Sequence, residues 1–172
     1  MSHATLEFRL NGRDRTELID GGETLLALLR HRLDVTSLKQ GCRQGTCGTC
    51  TVIVDGEPRL ACITLAATCE GRSVETAESL PGADGLHPLQ QAFMDHFAAQ
   101  CGFCTTGMLM AARALLDANP APTREDVVDA IGGNICRCTG YEPIIEAILA
   151  AAGRAGGAGG AAGAGARATR GA

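Results

Sequence analysis

Eight of the nine cysteines fall into two groups of four: Cys42, Cys47, Cys50 and Cys62, then Cys101, Cys104, Cys136 and Cys138. The first group reads C-x4-C-x2-C-x11-C and the second C-x2-C-x31-C-x-C. Thiols at such intervals oblige the backbone to wrap round whatever they hold, so they constrain the fold more tightly than any hydrophobic pattern does. Two groups in separate halves of 172 residues favour two small domains, and a chain that is 45% hydrophobic can supply both cores.

The first twenty residues carry charge throughout and contain no apolar core of a signal peptide, no twin arginine and no membrane span. The expected compartment is therefore the cytoplasm, where thiols stay reduced and dense cysteine usage points to metal rather than to disulfides. A net charge of −4 without a basic run excludes the electrostatic footprint of a nucleic-acid binder.

Four cysteines meet the ligand count of one iron–sulfur cluster, and C-x4-C-x2-C is the plant-type [2Fe–2S] spacing. In GCRQGTCGTC, Gly41, Gly45 and Gly48 let amide N–H groups approach sulfur without a Cβ in the way. Cys62 is expected to complete the set from a neighbouring strand. A zinc site is the main rival, but zinc usually draws on two short C-x2-4-C pairs. A Rieske centre needs two histidine ligands, and His3, His31, His87 and His96 all lie outside any C-x-H arrangement.

Residues 4–10 alternate, with Leu6, Phe8 and Leu10 on one face, and Asn11–Gly12 signals a hairpin into 13–19. A short amphipathic helix is expected over 23–33, then strands over 51–55, 59–65 and 73–77, a mixed sheet crossed by one helix. From His87 the period turns helical. Helices are expected over 87–100, 105–119 and 124–133 and from Tyr141, with Thr123 and Asp126 as a capping box. Cys101 and Cys104 then lie between the first and second helices and Cys136 and Cys138 between the third and fourth, brought to one end. The turn-rich stretch 78–86 reads as a linker. Residues 153–172 are almost all glycine and alanine and read as a disordered tail.

QCGFCTTGM at 100–108 and GGNICRCTGY at 132–141 resemble the helical [2Fe–2S] domain of the molybdenum hydroxylases, the xanthine oxidase family. GCRQGTCGTCTV and HPLQQAF also resemble that family, in its order, so the likeness runs from about residue 4 to residue 152. A chain of this size resembles the small iron–sulfur subunit of three-subunit members such as carbon monoxide dehydrogenase, isoquinoline and quinoline oxidoreductases and 4-hydroxybenzoyl-CoA reductase. The resemblance implies an α+β architecture: a plant-ferredoxin-like β-grasp domain over 1–80, then an all-α four-helix-bundle [2Fe–2S] domain over 81–152. It also implies two [2Fe–2S] clusters in series. Cys101, Cys104, Cys136 and Cys138 would hold the one nearer molybdenum, and Cys42, Cys47, Cys50 and Cys62 the one nearer FAD. The partners implied are a large molybdopterin-binding subunit and a medium FAD-binding subunit, in a heterotrimer or its dimer, with Gln100 and Cys138 contacting molybdopterin.

One departure stands out, since the family commonly has C-T-P-G where this chain has Cys104-Thr105-Thr106-Gly107. A threonine there can start the helix by capping. Arg137 either offsets cluster charge or faces a partner. Cys69 is expected in the core, His87 and His96 at helix ends or on the surface, and Met94, Met108 and Met110 in packing. Without a catalytic constellation of its own, the chain should turn over no substrate. The competing reading is an independent two-cluster ferredoxin-type carrier; a zinc-stabilised interaction module is the third.

Overall fold

The computed structural model describes residues 3–82 and 85–155. The N-terminal half is a five-stranded mixed sheet in the order β2-β1-β5-β3-β4. Its strands are β1 (His3–Leu10), β2 (Arg13–Asp20), β3 (Thr51–Val54), β4 (Glu57–Leu60) and β5 (Ser73–Glu75). Only β1 and β5 run parallel; β1–β2, β3–β4 and β3–β5 are antiparallel. Asn11 and Gly12 both take positive φ, 50° and 78°, so the β1–β2 turn has the twist that a two-residue hairpin needs.

Leu6, Phe8 and Leu10 point inward as their alternation predicts, and α1 (Leu25–Ala27) covers them. The helix begins on a Thr24 cap and loosens into a wider turn over Leu28–Arg32, yet Leu25, Leu28 and Leu29 are fully buried. Each such side chain contributes about 1.5–3 kcal/mol on leaving water.

The expected strand over 59–65 ends at Leu60. Beyond it the carbonyls of Ala61 and Thr64 accept the N–H groups of Leu26 and Leu25, so α1 takes the backbone that a strand partner would have used. Cys62 therefore lies in a turn past β4.

Four helices make the second half: α2 (Pro88–Asp95), α3 (Thr105–Ala118), α4 (Arg124–Ile131) and α5 (Glu142–Ala155). The first stops five residues short of the expectation, because Phe97 adopts a left-handed φ of 53° after the His96 cap. Thr123 and Asp126 form the expected capping box. The helix expected over 124–133 ends at Ile131; Gly132 keeps right-handed φ and ψ, and Asn134 N–H closes the end on Ile131 O at 2.8 Å. The stretch 78–86, expected as a linker, begins within a short 3-10 turn, Ala77–Ser79, and Gly82 pairs with Gly85. Residues 83, 84 and 156–172, which include most of the expected tail, lie outside the described residues; 153–155 continue α5.

All four residues of β3 are buried, and the two cores explain why. Val52 and Val54 belong to the sheet core, whereas Ile53 joins the helical core of Leu89, Phe93, Met108 and Ile148. A strand walled on both faces reads as a continuous apolar run instead of alternating. The helices are thus set against the sheet beside the first cysteine loop. Among the described residues, no helix is long and apolar enough to cross a membrane.

Candidate metal centres

Residues 39–50 fold into a loop without regular structure, turned by positive φ at Arg43, Gly45 and Gly48. Arg30 fastens its approach by donating to the carbonyls of Thr36, at 3.0 Å, and Leu38. Inside the loop, Cys42 Sγ accepts the N–H groups of Thr46 at 3.3 Å and Gln44 at 3.5 Å. The Thr46 hydroxyl, with those amides, holds the Cys42 thiol down to about 5. Burial instead pushes Cys50 up to about 12. Gly41 has no room for a side chain, since a Cβ would stand 2.8 Å from Cys47 Sγ.

The second group sits where the helical connections meet. Cys138 Sγ lies 3.6 Å from Cys101 Sγ, although 37 residues separate them. Cys136 Sγ accepts from Thr139 N–H at 3.4 Å and pairs with Thr139 Oγ1 at 3.1 Å. Burial works to raise the Cys136 thiol, and these bonds outweigh it, so its pKa falls. Its neighbour Cys104 is driven up to about 12, by burial first and then by Cys136.

Within each set the thiols interact with one another: Cys42 with Cys47 and Cys50 with Cys62 and Cys47 in the first, Cys101 with Cys138 and Cys136 and Cys104 with Cys136 and Cys101 in the second. Four thiols that interact as one set meet the ligand count of one iron–sulfur cluster. The amide donors aimed at Cys42 and Cys136 suit a negatively charged cluster.

Gln100, Arg137 and Cys138 are all exposed, and Gln100 adjoins Cys101 of the pair with Cys138. Cys69 is buried in the sheet core with its thiol raised by burial. His87 caps α2, its Nδ1 accepting Leu89 N–H at 3.2 Å, and His96 caps the other end with Glu146 3.9 Å away. Met108 and Met110 pack in the core, but Met94 is 61% exposed. Thr106 does not cap α3; its hydroxyl donates to Ser37 O at 2.8 Å, tying the helix to the first half.

Three site residues escape a reading by motif. Tyr141 OH accepts the Cys136 N–H at 3.0 Å, and Asn134 and Ile135 bond to the first cysteine loop. Their signal was an amide between a glycine pair and a cysteine pair, together with the only tyrosine in the chain.

Residues 8–80 match the family model described as the 2Fe-2S iron-sulfur cluster binding domain, and residues 76–149 match the [2Fe-2S] binding domain. The chain is 51% identical over 150 residues to the nicotine 6-hydroxylase small subunit of Paenarthrobacter nicotinovorans, covering 87% of this chain and 90% of that one. It is 42% identical over 154 residues to the nicotinate dehydrogenase small FeS subunit of Eubacterium barkeri, covering 90% and 98%. The crystal structure of quinoline 2-oxidoreductase from Pseudomonas putida 86 contains a chain that superposes with a TM-score of 0.85 at 45% identity, covering 89% and 96%. Two [2Fe–2S] domains in this order, matched along nearly the whole length of such subunits, make the chain a member of the small iron–sulfur subunits of the xanthine oxidase family of molybdenum hydroxylases.

Proposed function

We propose that this chain relays electrons from a molybdopterin centre on a large subunit to FAD on a medium subunit. Cys101, Cys104, Cys136 and Cys138 hold the [2Fe–2S] cluster nearer molybdenum, and Cys42, Cys47, Cys50 and Cys62 hold the one nearer FAD. The gathering of the eight thiols into two sets of four, with Cys138 Sγ 3.6 Å from Cys101 Sγ across 37 residues, is the observation that carries this reading. Bound clusters supply one-electron storage; the protein fixes their order, burial and amide surroundings.

Exposure suits that order. Cys101 and Cys138 are exposed at the outer end of the second set, and Gln100 beside them has both donor and acceptor for the mixed edge of a pterin. The surface nearby is apolar, with Phe97 83% and Phe103 47% exposed, as a face covered by a partner would be. At the other end Cys42 is partly exposed, in reach of a second partner. We place the domain division near residue 80, take the helical half as a four-helix bundle, and take the complex as a heterotrimer or its dimer. A reducing cytoplasm fits nine cysteines that are all unpaired by disulfides.

Relatives named for nicotine, nicotinate and quinoline match this chain along most of its length, which fits one relay serving several substrates. The test is low-temperature EPR on Cys50→Ser and Cys136→Ser variants of the complex. Each should lose one of two distinct reduced [2Fe–2S] signals. Loss of both from either variant with its fold intact, or a colourless zinc protein without labile sulfide, refutes the assignment.

A further inference from the structure

The two cysteine loops touch through a buried seam that the ligand sets do not explain. Asn134 is 5% exposed, and its carboxamide N–H2 donates to Gly48 O at 2.8 Å and to Thr51 Oγ1 at 3.2 Å. The next residue, Ile135, donates its backbone N–H to Cys47 O at 3.0 Å. Thr51 Oγ1 in turn donates to Gly48 O at 2.7 Å. The approach is backbone to backbone: a Cβ on Gly48 would lie 2.5 Å from Gly133 O, and one on Gly107 would lie 2.3 Å from Gly48 O.

From these contacts we infer that Asn134 is a positioning residue for electron transfer, holding the Ile135 N–H···O=C Cys47 hydrogen bond as the bridge between the two cluster-bearing segments. The inference rests on the functional reading above. Cys47 belongs to the first set, and Ile135 is bonded covalently to Cys136 of the second. The route from sulfur to sulfur is therefore covalent except for one hydrogen bond. With clusters bound by the two cysteine sets, this route would carry one electron from the reduced second set to the oxidised first, with no bond made or broken and no proton moved.

A buried amide with both N–H groups placed is expensive to disturb, because its acceptors lose their partners in a low-dielectric seam. Gly48 O already accepts from Thr51 N–H at 3.1 Å and from Thr51 Oγ1, so the Asn134 bond adds a tie across the seam where local ties already exist. That is what a device for register, rather than for local folding, would look like.

The decisive variant is Asn134→Asp in the full chain purified with its partner subunits. Aspartate keeps the shape but has no N–H to give and opposes a carboxylate to Gly48 O. With both clusters reduced by dithionite, EPR reads the magnetic splitting between them, and a flash-triggered one-electron reduction reads how fast they equilibrate. The variant should retain iron, labile sulfide and both individual g-value sets, yet lose splitting and equilibrate several-fold more slowly. Thr51→Val, which removes one acceptor of the same amide together with the hydroxyl bond to Gly48 O, should move both readouts the same way by less. A merely structural role would lower the unfolding midpoint and leave splitting and rate unchanged. Wild-type splitting and rate in an Asn134→Asp protein with both clusters overturns the inference; if that variant loses a cluster, wild-type values in Thr51→Val overturn it. Absence of two [2Fe–2S] signals from the unmodified complex would instead defeat the functional reading.

Discussion

Gly107→Ala sets two physical effects against each other. Gly107 is the third residue of α3, and propensity alone favours alanine in a helix by roughly 0.8–1.0 kcal/mol. The new Cβ would stand 2.3 Å from Gly48 O, 3.1 Å from Thr49 Cα and 3.1 Å from Asn134 Nδ2. A comfortable carbon–oxygen contact is about 3.3–3.6 Å, so helix and loop must part by about 1 Å. Gly48 O cannot simply swing aside, because Thr51 N–H, Thr51 Oγ1 and Asn134 Nδ2 all bond to it. Overpacking of this kind costs about 1–3 kcal/mol, and a broken buried hydrogen bond that leaves a group unpaired costs about 1–3 kcal/mol more. After the propensity gain, the net loss is about 1–5 kcal/mol. Gly133→Ala is the control: it meets no atom within 4 Å and should stay within about 0.5 kcal/mol of wild type. Anaerobic urea unfolding of the cluster-loaded full chain, followed by visible absorbance and far-ultraviolet circular dichroism, measures both from midpoints at equal slope. A Gly107→Ala midpoint at or above wild type, or an equal loss in Gly133→Ala, would refute the argument.

His87 supplies the pH dependence. Burial, then the Arg113 guanidinium, keeps its pKa below 6.5, with Asp117 opposing, and Nδ1 must be neutral to accept Leu89 N–H. A depressed folded pKa means that the cap's contribution is intact above 6.5 and is lost as pH falls through the folded value. His87→Asn keeps a capping acceptor without the titration, so its stability, measured by urea midpoints from about pH 8 to about pH 5, should fall less than that of wild type. Equal slopes would contradict the assignment. Cys69→Ala should cost about 0.5–1.5 kcal/mol, the range for deleting a methyl-sized group from a core, and leave both EPR signals in place; loss of a signal would make Cys69 a ligand. Tyr141→Phe removes the acceptor of Cys136 N–H and should shift the potential of the second-set cluster alone, at a stability cost of about 1–3 kcal/mol. Redox titration monitored by EPR decides it, and an equal shift in both clusters would count against the local role.

Short-range chemistry made much of this molecule legible in its sequence. Asn11–Gly12, the alternation Leu6, Phe8 and Leu10, and the Thr123–Asp126 box each specify a local geometry that tertiary packing then reuses. The cysteine intervals belong with them, because a loop of fixed length with glycines inside can turn in few ways. What stayed hidden depends on partners distant in the chain. β4 stops at Leu60 because α1 claims the backbone of Ala61 and Thr64, and no pattern within 59–65 announces that. Thr106 looks like a helix cap in sequence, yet it reaches Ser37, a residue 69 positions earlier.

Asn134 is the clearest case, and its position explains why. In isolation it is a polar residue after a helix-ending glycine pair, where a turn would suffice to account for it. Its buried amide becomes intelligible only when Gly48 and Thr51, 86 and 83 residues away, are brought against it. The same contact accounts for glycine at 48 and at 107, which the cysteine spacing alone assigns to loop flexibility and to a helix start. A pair of clusters placed in series needs a fixed gap as much as it needs ligands. Ligands recur at short intervals and can be read from one segment, whereas the gap is written in residues that meet only after both domains have folded.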